Sequence, residues 1–364
     1  APRSEAVQLT KEASRRIIEL TGGHNAVAVC RRLICNRQGP LPVISIGFHA
    51  MSKLIRVGAA CCQFFMAVLL TVPADAQNSP AIIKSTTLFP SELVDFQPFD
   101  GNPVFTGAGE GAWDHTIRER GYILRESDGY HLWYTGYAGG REDTKFLGYA
   151  TSPDGIQWTR HPKNPLFSES WVEDMYVVKR KDTYYMFAEG LHDIAHLLTS
   201  TDRVTWKGVG KLDVRSTSGA PIEAGPYGTP TVWVEDDNWF LFYERRDAGI
   251  WLAKSKDLET WTNVQDEPVI SKGPGQYDRH AVAMNQVIKY KGRYYAYFHG
   301  SAHQPWRDWN TNVATSTDLV RWTKYENNPI VSGNKSSGIV VHVGSEFRLY
   351  TMHPDVRLYL HRDQ

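Results

Sequence analysis

The sequence predicts an all-β fold, a β-propeller of five four-stranded antiparallel blades. An aromatic cluster recurs five times, and the first residues of successive clusters are 54, 55, 55 and 53 positions apart: Tyr130, Tyr184, Trp239, Tyr294 and Phe347. Most clusters follow a turn signal and a short run of β-forming residues, which is the pattern of a β-hairpin. Units of about 50 residues with four short strands each are typical of propellers.

A second motif, Ser-x-Asp-x3-Trp, follows four of the five clusters. Its positions are Ser152/Asp154/Trp158, Ser200/Asp202/Trp206, Ser255/Asp257/Trp261 and Ser316/Asp318/Trp322. Short polar side chains stabilise turns by binding the nearby backbone, so we interpret the motif as a structural turn with its tryptophan packed between sheets. The fifth unit ends without the motif. We expect the segment Thr86–Phe99 to supply its outer strand and close the ring.

The first 77 residues differ in composition from the rest, because they contain no Trp or Tyr and all four cysteines. From Met51, two basic residues precede an apolar stretch at 57–72, and Ala74-Asp75-Ala76 precedes Gln77. This order predicts a secretory signal peptide at 51–77. The apolar stretch is shorter than the roughly 20 residues of a membrane span. We therefore expect a secreted or periplasmic protein whose mature form, the propeller at 78–364, has no membrane association. Residues 1–50, upstream of this start, are a segment of doubtful status.

Charge and cysteine content exclude several classes of function. The 40 basic and 40 acidic residues of the whole chain balance, which does not favour binding to nucleic acid. The leader is basic, so the predicted propeller carries 31 basic and 36 acidic groups. With no cysteine after residue 77, that domain has no disulfide, no zinc–thiolate site and no cysteine nucleophile.

Three positions of the repeat vary where a scaffold would repeat. Ten residues before each cluster are Arg120, Asp174, Thr229, Met284 and Ser337; sixteen before are Asp114, Ser168, Glu223, Asp278 and Val331; five after are Thr135, Glu189, Glu244, His299 and Met352. The inner strands of a propeller surround its axis, and polar variation at their ends indicates a binding pocket there.

The second unit carries a resemblance to a known superfamily. The run from Glu173-Asp174-Met175 to Tyr184-Tyr185 is similar to the blade signature Asp-Pro-x-x-(Val/Ile)-x-x-x-x-(Asp/Gly)-x-Tyr-Tyr of five-bladed glycosidases. These are the relatives of glycoside hydrolase families 43, 32, 62, 68, 117 and 130. Asn-Pro pairs at Asn102, Asn164 and Asn328 agree with it. The resemblance covers about residues 95–360 and is specific for the superfamily rather than for one family.

The resemblance implies three catalytic acids in a glycoside hydrolase: a base or nucleophile, a stabilising Asp and a general-acid Glu. Asp174 matches the stabiliser, Asp114 is the first-blade candidate although it lies six residues before the family position, and Glu223 matches the third-blade acid with an insertion. Hydrolysis needs one protonated and one ionised carboxyl group on either side of the glycosidic bond, and a neighbouring carboxylate is a means of raising a pKa. The resemblance favours exo attack with inversion.

Further polar residues are predicted to bind the substrate: Arg118, Arg120, Glu173, Glu244, Arg245, Asp278, Arg279 and His280. Arginine suits carboxylate and sulfate groups, so the substrate is predicted to be an oligo- or polysaccharide that carries uronate or sulfate. Trp113, Trp171, Tyr137 and Trp306 are candidates for stacking on sugar rings. Each acid also has a simpler interpretation, as a loop cap, an ion-pair partner or a solvated surface group.

Other functions remain open at this point. One is a phosphorolytic relative, in which Arg and His bind phosphate and a single protein acid is needed. Another is a sugar-binding propeller without catalysis, whose axial acids are paired off. A sialidase is disfavoured by the five units. We predict no metal and no cofactor, since an axial Ca²⁺ is compatible with the sequence but not indicated by it.

Overall fold

The structure, a computed structural model, describes residues 88–118, 120–140, 143–305 and 307–361. The upstream segment 1–50, the predicted signal peptide at 51–77 and Trp306 lie outside the described residues, and the domain boundaries stay predictions. The described part is almost entirely β, with one short helix, α1 (Ser91–Val94). Among the described residues, no helix has the length and apolar composition that crossing a membrane requires.

Five small, mainly antiparallel sheets form the five-bladed β-propeller that the sequence predicts. Blade one contains β2 (Thr116–Ile117), β3 (Tyr122–Glu126), β4 (Gly129–Tyr137), β5 (Phe146–Ser152) and β6 (Thr159–Arg160). Blade two contains β7 (Glu173–Arg180), β8 (Thr183–Gly190), β9 (Ile194–Ser200) and β10 (Lys207–Lys211). Blade three contains β11 (Asp213–Arg215), β12 (Gly228–Glu235), β13 (Asn238–Glu244), β14 (Gly249–Ser255), β15 (Thr260–Asn263) and β16 (Ile270–Ser271). Blade four contains β17 (Ala281–Tyr290), β18 (Arg293–Ser301), β19 (Asn310–Ser316) and β20 (Thr323–Lys324).

Blade five is completed by the N-terminal end of the described chain. It contains β21 (Ile339–Val343), β22 (Glu346–Thr351) and β23 (Arg357–His361), and its outer strand is β1 (Phe96–Pro98). Strand β1 pairs antiparallel with β23, with Phe96 opposite His361 and Pro98 opposite Tyr359. The predicted closure of the ring by the segment Thr86–Phe99 is thus confirmed for its described part.

The aromatic repeat forms the second strand of each blade. The residue two positions after the start of every cluster is fully or almost fully buried: Leu132, Met186, Leu241, Ala296 and Leu349. Burying this apolar strip in every blade stabilises the stack of sheets, because the hydrophobic effect contributes about 25 cal/mol for each Å² removed from water.

The Ser-x-Asp-x3-Trp motif forms the structural turn that the sequence predicts. In blade one, Ser152 Oγ donates to Asp154 Oδ1 at 2.9 Å, and the same oxygen accepts the backbone N–H groups of Ile156 and Gln157 at 2.8 and 2.9 Å. Blades two, three and four repeat this set of bonds. The Ser and Asp side chains of the motif thus bind within the turn itself, as expected of a structural element.

Candidate functional site

Irregular backbone opens the innermost strands of blades two and three. The pairing of β7 with β8 shifts register between Glu173 and Tyr176, and that of β12 with β13 shifts between Gly228 and Thr231. Asp174 and Thr229, in these two bulges, both have φ of 45°. A side-chain-bearing residue in this region costs about 1–3 kcal/mol and persists where its surroundings fix it, often at functional sites. Bulges also redirect side chains.

Acidic side chains converge around these two bulges, and we refer to them as the acid cluster: Glu173, Asp174, Glu189, Asp193, Glu244 and Asp247. Asp174, Glu189 and Glu244 are 8, 7 and 5% exposed. Carboxylate oxygens of Glu173, Glu189 and Asp193 lie within 4.8 Å of one another. Three oxygens at this spacing are able to hold a cation, but a group of acids alone does not identify a metal site, and we assign no metal ion to it.

Glu189 and Glu244 meet over the backbone of Gly228. A Cβ atom on Gly228 would lie 2.0 Å from Glu189 Oε2 and 3.2 Å from Glu244 Oε1, so the two carboxyl groups are neighbours and only glycine fits beneath them. Glu189 Oε2 also accepts the N–H of Thr229 at 2.6 Å and its hydroxyl at 3.3 Å. These bonds direct Oε2 towards blade three, and neither of them involves Oε1.

Burial and mutual repulsion hold protons on this pair. Burial raises the pKa of Glu189 well above its usual value, and the charges of Asp174, Glu173 and Glu244 raise it further. Burial and the charge of Asp247 raise the pKa of Glu244 to about 8, although the N–H of Asp247 donates to its Oε2 at 2.5 Å. The pKa of Asp247 rises to about 6, mainly through burial and the nearby Asp193. Burial and the neighbouring acids thus favour the protonated forms of Glu189 and Glu244.

Asp174 is a member of the acid cluster that lies beside arginines. Burial raises its pKa, but the charges of Arg120 and Arg118 and a hydrogen bond from Arg120 oppose the increase. That bond runs from the Arg120 backbone N–H to Asp174 Oδ1 at 2.7 Å. The neighbouring arginines thus favour the carboxylate form of Asp174, whereas the acids around Glu189 favour its protonated form.

Two buried histidines from blades four and five are neutral. Burial, with Arg120 nearby, lowers the pKa of His299 to about 3, and burial beside Arg118 lowers that of His353 to about 3. His299 Nδ1 lies 2.8 Å from the side-chain amide nitrogen of Asn285. An amide N–H donates, so Nδ1 accepts and the ring proton is on Nε2. His299 is thus a neutral hydrogen-bond donor rather than a cation.

The structure brings together only some of the residues that the sequence predicts for the site. Asp174, Glu173 and Glu244 belong to the acid cluster, and Arg118 acts on Asp174 electrostatically. Glu223 instead lies exposed in the loop between β11 and β12 of blade three, where its backbone carbonyl accepts a bond of 2.7 Å from Arg245 Nη2. Arg279 is exposed and His280 half-buried at the start of blade four. Glu223 is not a member of the acid cluster, and its role as the general acid stays a prediction.

Asp114 and Asp278 have basic partners within their own blades. Asp114 is 1% exposed, and its Oδ2 accepts Arg160 Nε at 2.7 Å and the Tyr134 hydroxyl at 3.0 Å. Asp278 is fully buried and forms an ion pair with Lys324. An acid with its own cation inside one blade stabilises the fold, so we assign Asp114 a structural role instead of a catalytic one, and Asp278 a structural role instead of substrate binding.

Arg120 is held inside the fold. Its side chain is fully buried, and its guanidinium group donates to backbone carbonyls and one hydroxyl of the neighbouring blades. This arrangement favours a structural role for Arg120 and gives no support to the predicted contact with substrate.

The sequence placed Glu189 at a position that indicates the pocket but gave it no role in the site, and it did not single out Asp247. Glu189 occupies the position of Glu244 in the repeat, five residues after the cluster, and this shared position was the signal that would have found it. Asp247 lies in the turn after β13, where no repeated pattern marks it. Of the proposed stacking residues, Trp171 lies beside the cluster and its Nε1–H donates to Glu173 Oε1 at 2.5 Å.

Comparisons with known proteins place this fold among enzymes that act on glycosidic bonds. No protein-family model matches the chain. A 1,2-β-oligomannan phosphorylase of Thermoanaerobacter sp. (strain X514) is 23% identical over 227 residues, which are 57% of this chain and 73% of that protein. A glycosyl hydrolase from Bacteroides ovatus superposes with a TM-score of 0.60 at 18% identity, covering 73% of this chain and 92% of the other. The β-1,2-mannobiose phosphorylase of Listeria innocua gives 0.57 at 15% identity, covering 73 and 95%. The chain shares their five-bladed fold.

Proposed function

We propose that the chain is a glycoside hydrolase whose catalytic centre is the acid cluster. The observation that carries this proposal is the convergence of buried carboxyl groups at the inner ends of adjacent strands, where Asp174 accepts the N–H of Arg120 and Glu189 accepts two bonds from Thr229. Glycoside hydrolysis needs one protonated and one ionised carboxyl group. The acids around Glu189 favour its protonated form, whereas Arg120 favours the carboxylate of Asp174. The sequence and structural relatives that cleave or form glycosidic bonds on the same fold support it.

In this mechanism Glu189 is the general acid. Its Oε2 accepts two bonds from Thr229, so Oε1 is the atom that donates a proton to the leaving glycosidic oxygen. General acid catalysis of this kind contributes about 10²–10⁴-fold to the rate. Asp174 is the carboxylate opposite, where it stabilises the positive charge that develops on the sugar or activates the attacking water. Its direction is fixed because Oδ1 accepts the Arg120 N–H.

Mannosides are the first substrates to test, because two of the relatives act on β-1,2-linked mannose. Export, exo attack, inversion of the anomeric carbon and an anionic group on the substrate stay predictions from the sequence. Burial of Arg120 weakens the case for an anionic substrate, because Arg120 is one of the four arginines on which that prediction rests. The concentration of acids in the cluster favours a neutral sugar unit beside it.

Phosphorolysis is the second candidate, and two observations favour it. The curated relative is a phosphorylase, and two cations, Arg118 and Lys335, lie close enough to His353 to lower its pKa. Against this, the acid cluster would repel a phosphate ion, whereas it does not repel water. We therefore rank hydrolysis first.

The proposal is tested by measuring cleavage of a panel of neutral and anionic oligosaccharides, including β-1,2-mannobiose, with and without an excess of phosphate over substrate. We expect release of free sugar in phosphate-free buffer, and a loss of at least about 10²-fold in kcat in Asp174→Asn. Asp237→Asn is the matched control, since Asp237 is an exposed acid in the turn between β12 and β13. Formation of a sugar phosphate only when phosphate is present would establish phosphorolysis. Binding without cleavage would leave a sugar-binding propeller, and unchanged activity of Asp174→Asn would remove Asp174 from the mechanism.

A further inference from the structure

The guanidinium group of Arg120 joins blade one to the three blades that follow it. Nη2 donates to the carbonyl oxygens of Asp174 in blade two and Pro230 in blade three, the latter at 2.6 Å. Nη1 donates to the Thr231 hydroxyl of blade three at 2.5 Å, and to the carbonyl oxygens of Met284 and Asn285 of blade four at 2.9 and 3.1 Å. One side chain thus binds the innermost strands of three other blades.

These acceptors coincide with the irregular backbone of the innermost strands. Asp174 and the Pro230-Thr231 pair lie in the two bulges described above, and the pairing of β17 with β18 also shifts register, between Met284 and Gln286. A bulge leaves backbone groups without partners in the sheet, and a buried carbonyl without a partner is costly. The planar guanidinium fork supplies donors to several of these carbonyls at once, which no other side chain does.

The main chain of Arg120 extends the same arrangement to the acid itself. Its N–H donates to Asp174 Oδ1 at 2.7 Å and its carbonyl accepts the N–H of Met175 at 3.1 Å. Asp174 is therefore held by Arg120 at its carboxylate and at its own carbonyl. In blade three, the bulge that Arg120 binds at Pro230 is the one from which Thr229 donates to Glu189.

We propose that Arg120 is the positioning residue of the site: its contacts with three bulges fix Asp174 and the Thr229–Glu189 bond in the arrangement that the proposed hydrolysis uses. This inference rests on the proposed function. Arg120 touches no substrate, and it acts through the backbone that bears the two acids. Lysine at this position would keep a positive charge, but its single ammonium cannot bind the bulges of blades two, three and four together.

The experiment compares Arg120→Lys with Arg125→Lys, in which an exposed arginine of the same strand region is changed. Circular dichroism and the melting temperature first establish that Arg120→Lys is folded. We then expect this variant to lose at least about tenfold in kcat with KM nearly unchanged, because small displacements of reacting groups have effects of this size. The control should keep the wild-type kcat. Wild-type kcat in folded Arg120→Lys would overturn the proposal.

Two further measurements keep the test decisive. If Arg120→Lys does not fold, Thr231→Val removes a single acceptor of the guanidinium group, and we expect a smaller loss in kcat with KM again unchanged; an unchanged kcat would overturn the proposal.

Carbon-13 titration of the Asp174 carboxyl group, whose signal is identified by its disappearance in Asp174→Asn, is independent of turnover. We expect its midpoint to move to higher pH in either variant. If the wild type cleaves no glycoside but this midpoint moves, the proposed function fails while the positioning of Asp174 by Arg120 stands; an unmoved midpoint overturns the positioning.

Discussion

Buried acids occur in two regions of this propeller, and the groups around them differ. In blades one and four, Asp114 and Asp278 stand at the same position of the repeat, and each binds a basic residue 46 positions further along the chain, Arg160 and Lys324 respectively. In blades two and three, Asp174, Glu189 and Glu244 are nearly as buried, yet their main neighbours include other acids. Burial is common to both regions, so it does not distinguish a structural acid from a reactive one.

The difference lies in how each charge is compensated. A buried acid with a dedicated cation is bound to that cation inside its blade, and removing either partner leaves an isolated charge. Acids that face one another cannot all ionise, so their pKa values separate into high and low members, which is the arrangement that acid–base catalysis requires. The comparison therefore supports the proposal that blades two and three carry the catalytic centre.

The largest effect that we expect from this contrast is on turnover. Glu189→Gln should lower kcat by about 10²–10⁴-fold, because the amide has no proton to give to the leaving oxygen. Asp114→Asn should keep a kcat close to that of the wild type and instead lose about 1–2 kcal/mol of unfolding free energy, since Arg160 is one-third exposed and loses a charged partner. Steady-state kinetics and urea unfolding of the two variants measure both quantities.

The leaving group provides the control for this prediction. The dinitrophenolate group of a dinitrophenyl glycoside leaves without needing a proton from the enzyme. If Glu189 is the general acid, Glu189→Gln should therefore recover much of its activity on that substrate. Equal losses on good and poor leaving groups would contradict this role. An equal loss of kcat in Asp114→Asn would remove the distinction between the two regions.

A smaller effect is expected from the backbone beneath the cluster. Gly228→Ala places a methyl group 2.0 Å from Glu189 Oε2, so the carboxyl group must move, and we expect kcat to fall by about 10–10²-fold. Gly208→Ala is the matched control, because its methyl group would meet only Phe167 Cζ, at 3.8 Å. Kinetics with the same substrate compare the two. Full activity in Gly228→Ala would show that the position of Glu189 is not critical.

The fold could be predicted from the sequence in detail, because it repeats. Each of the five aromatic strands and each of the four Ser-x-Asp-x3-Trp turns has a local signature in the sequence. The fifth unit ends without its outer strand, and the segment Thr86–Phe99 was the candidate to supply it. These features depend on backbone periodicity and apolar burial, which every unit must satisfy separately. A single sequence therefore contains several independent observations of the same structure.

The site was less predictable, because its chemistry depends on partners from other blades. At the position sixteen before the cluster, Asp114 and Asp278 had the appearance of site acids, and their cations lay 46 residues away with no pattern to connect them. Arg120 looked like a pocket cation, whereas its partners are carbonyls exposed by bulges in three other strands. Asp174 was found because it lies within a signature. No feature of the sequence distinguishes Glu189 from Glu244. The role of Glu189 could be proposed only once the structure showed its contacts with Gly228 and Thr229.

The smallest expected effect concerns stability as a function of pH, and it again separates the two regions. Glu244 and Asp247 have pKa values raised to about 8 and about 6, above the 4.5 and 3.8 of the unfolded chain. The folded state therefore keeps protons that the unfolded state releases. Their contribution to stability is fully present below about pH 4 and is lost as pH rises through 6 and then 8.

Glu244→Gln should remove part of this decline. The neutral amide does not ionise, so between pH 5 and pH 8 the variant should lose less unfolding free energy than the wild type, with a difference of roughly 1–3 kcal/mol. Asp114→Asn should change the height of the stability curve without removing the decline, because its carboxylate has a cation of its own. Urea unfolding at pH 5, 6.5 and 8 measures the slopes. A wild-type stability that increases over this range, or a slope unchanged in Glu244→Gln, would mean that the acids of blades two and three are compensated as completely as those of blades one and four, and the assignment of the reactive side would then have to be abandoned.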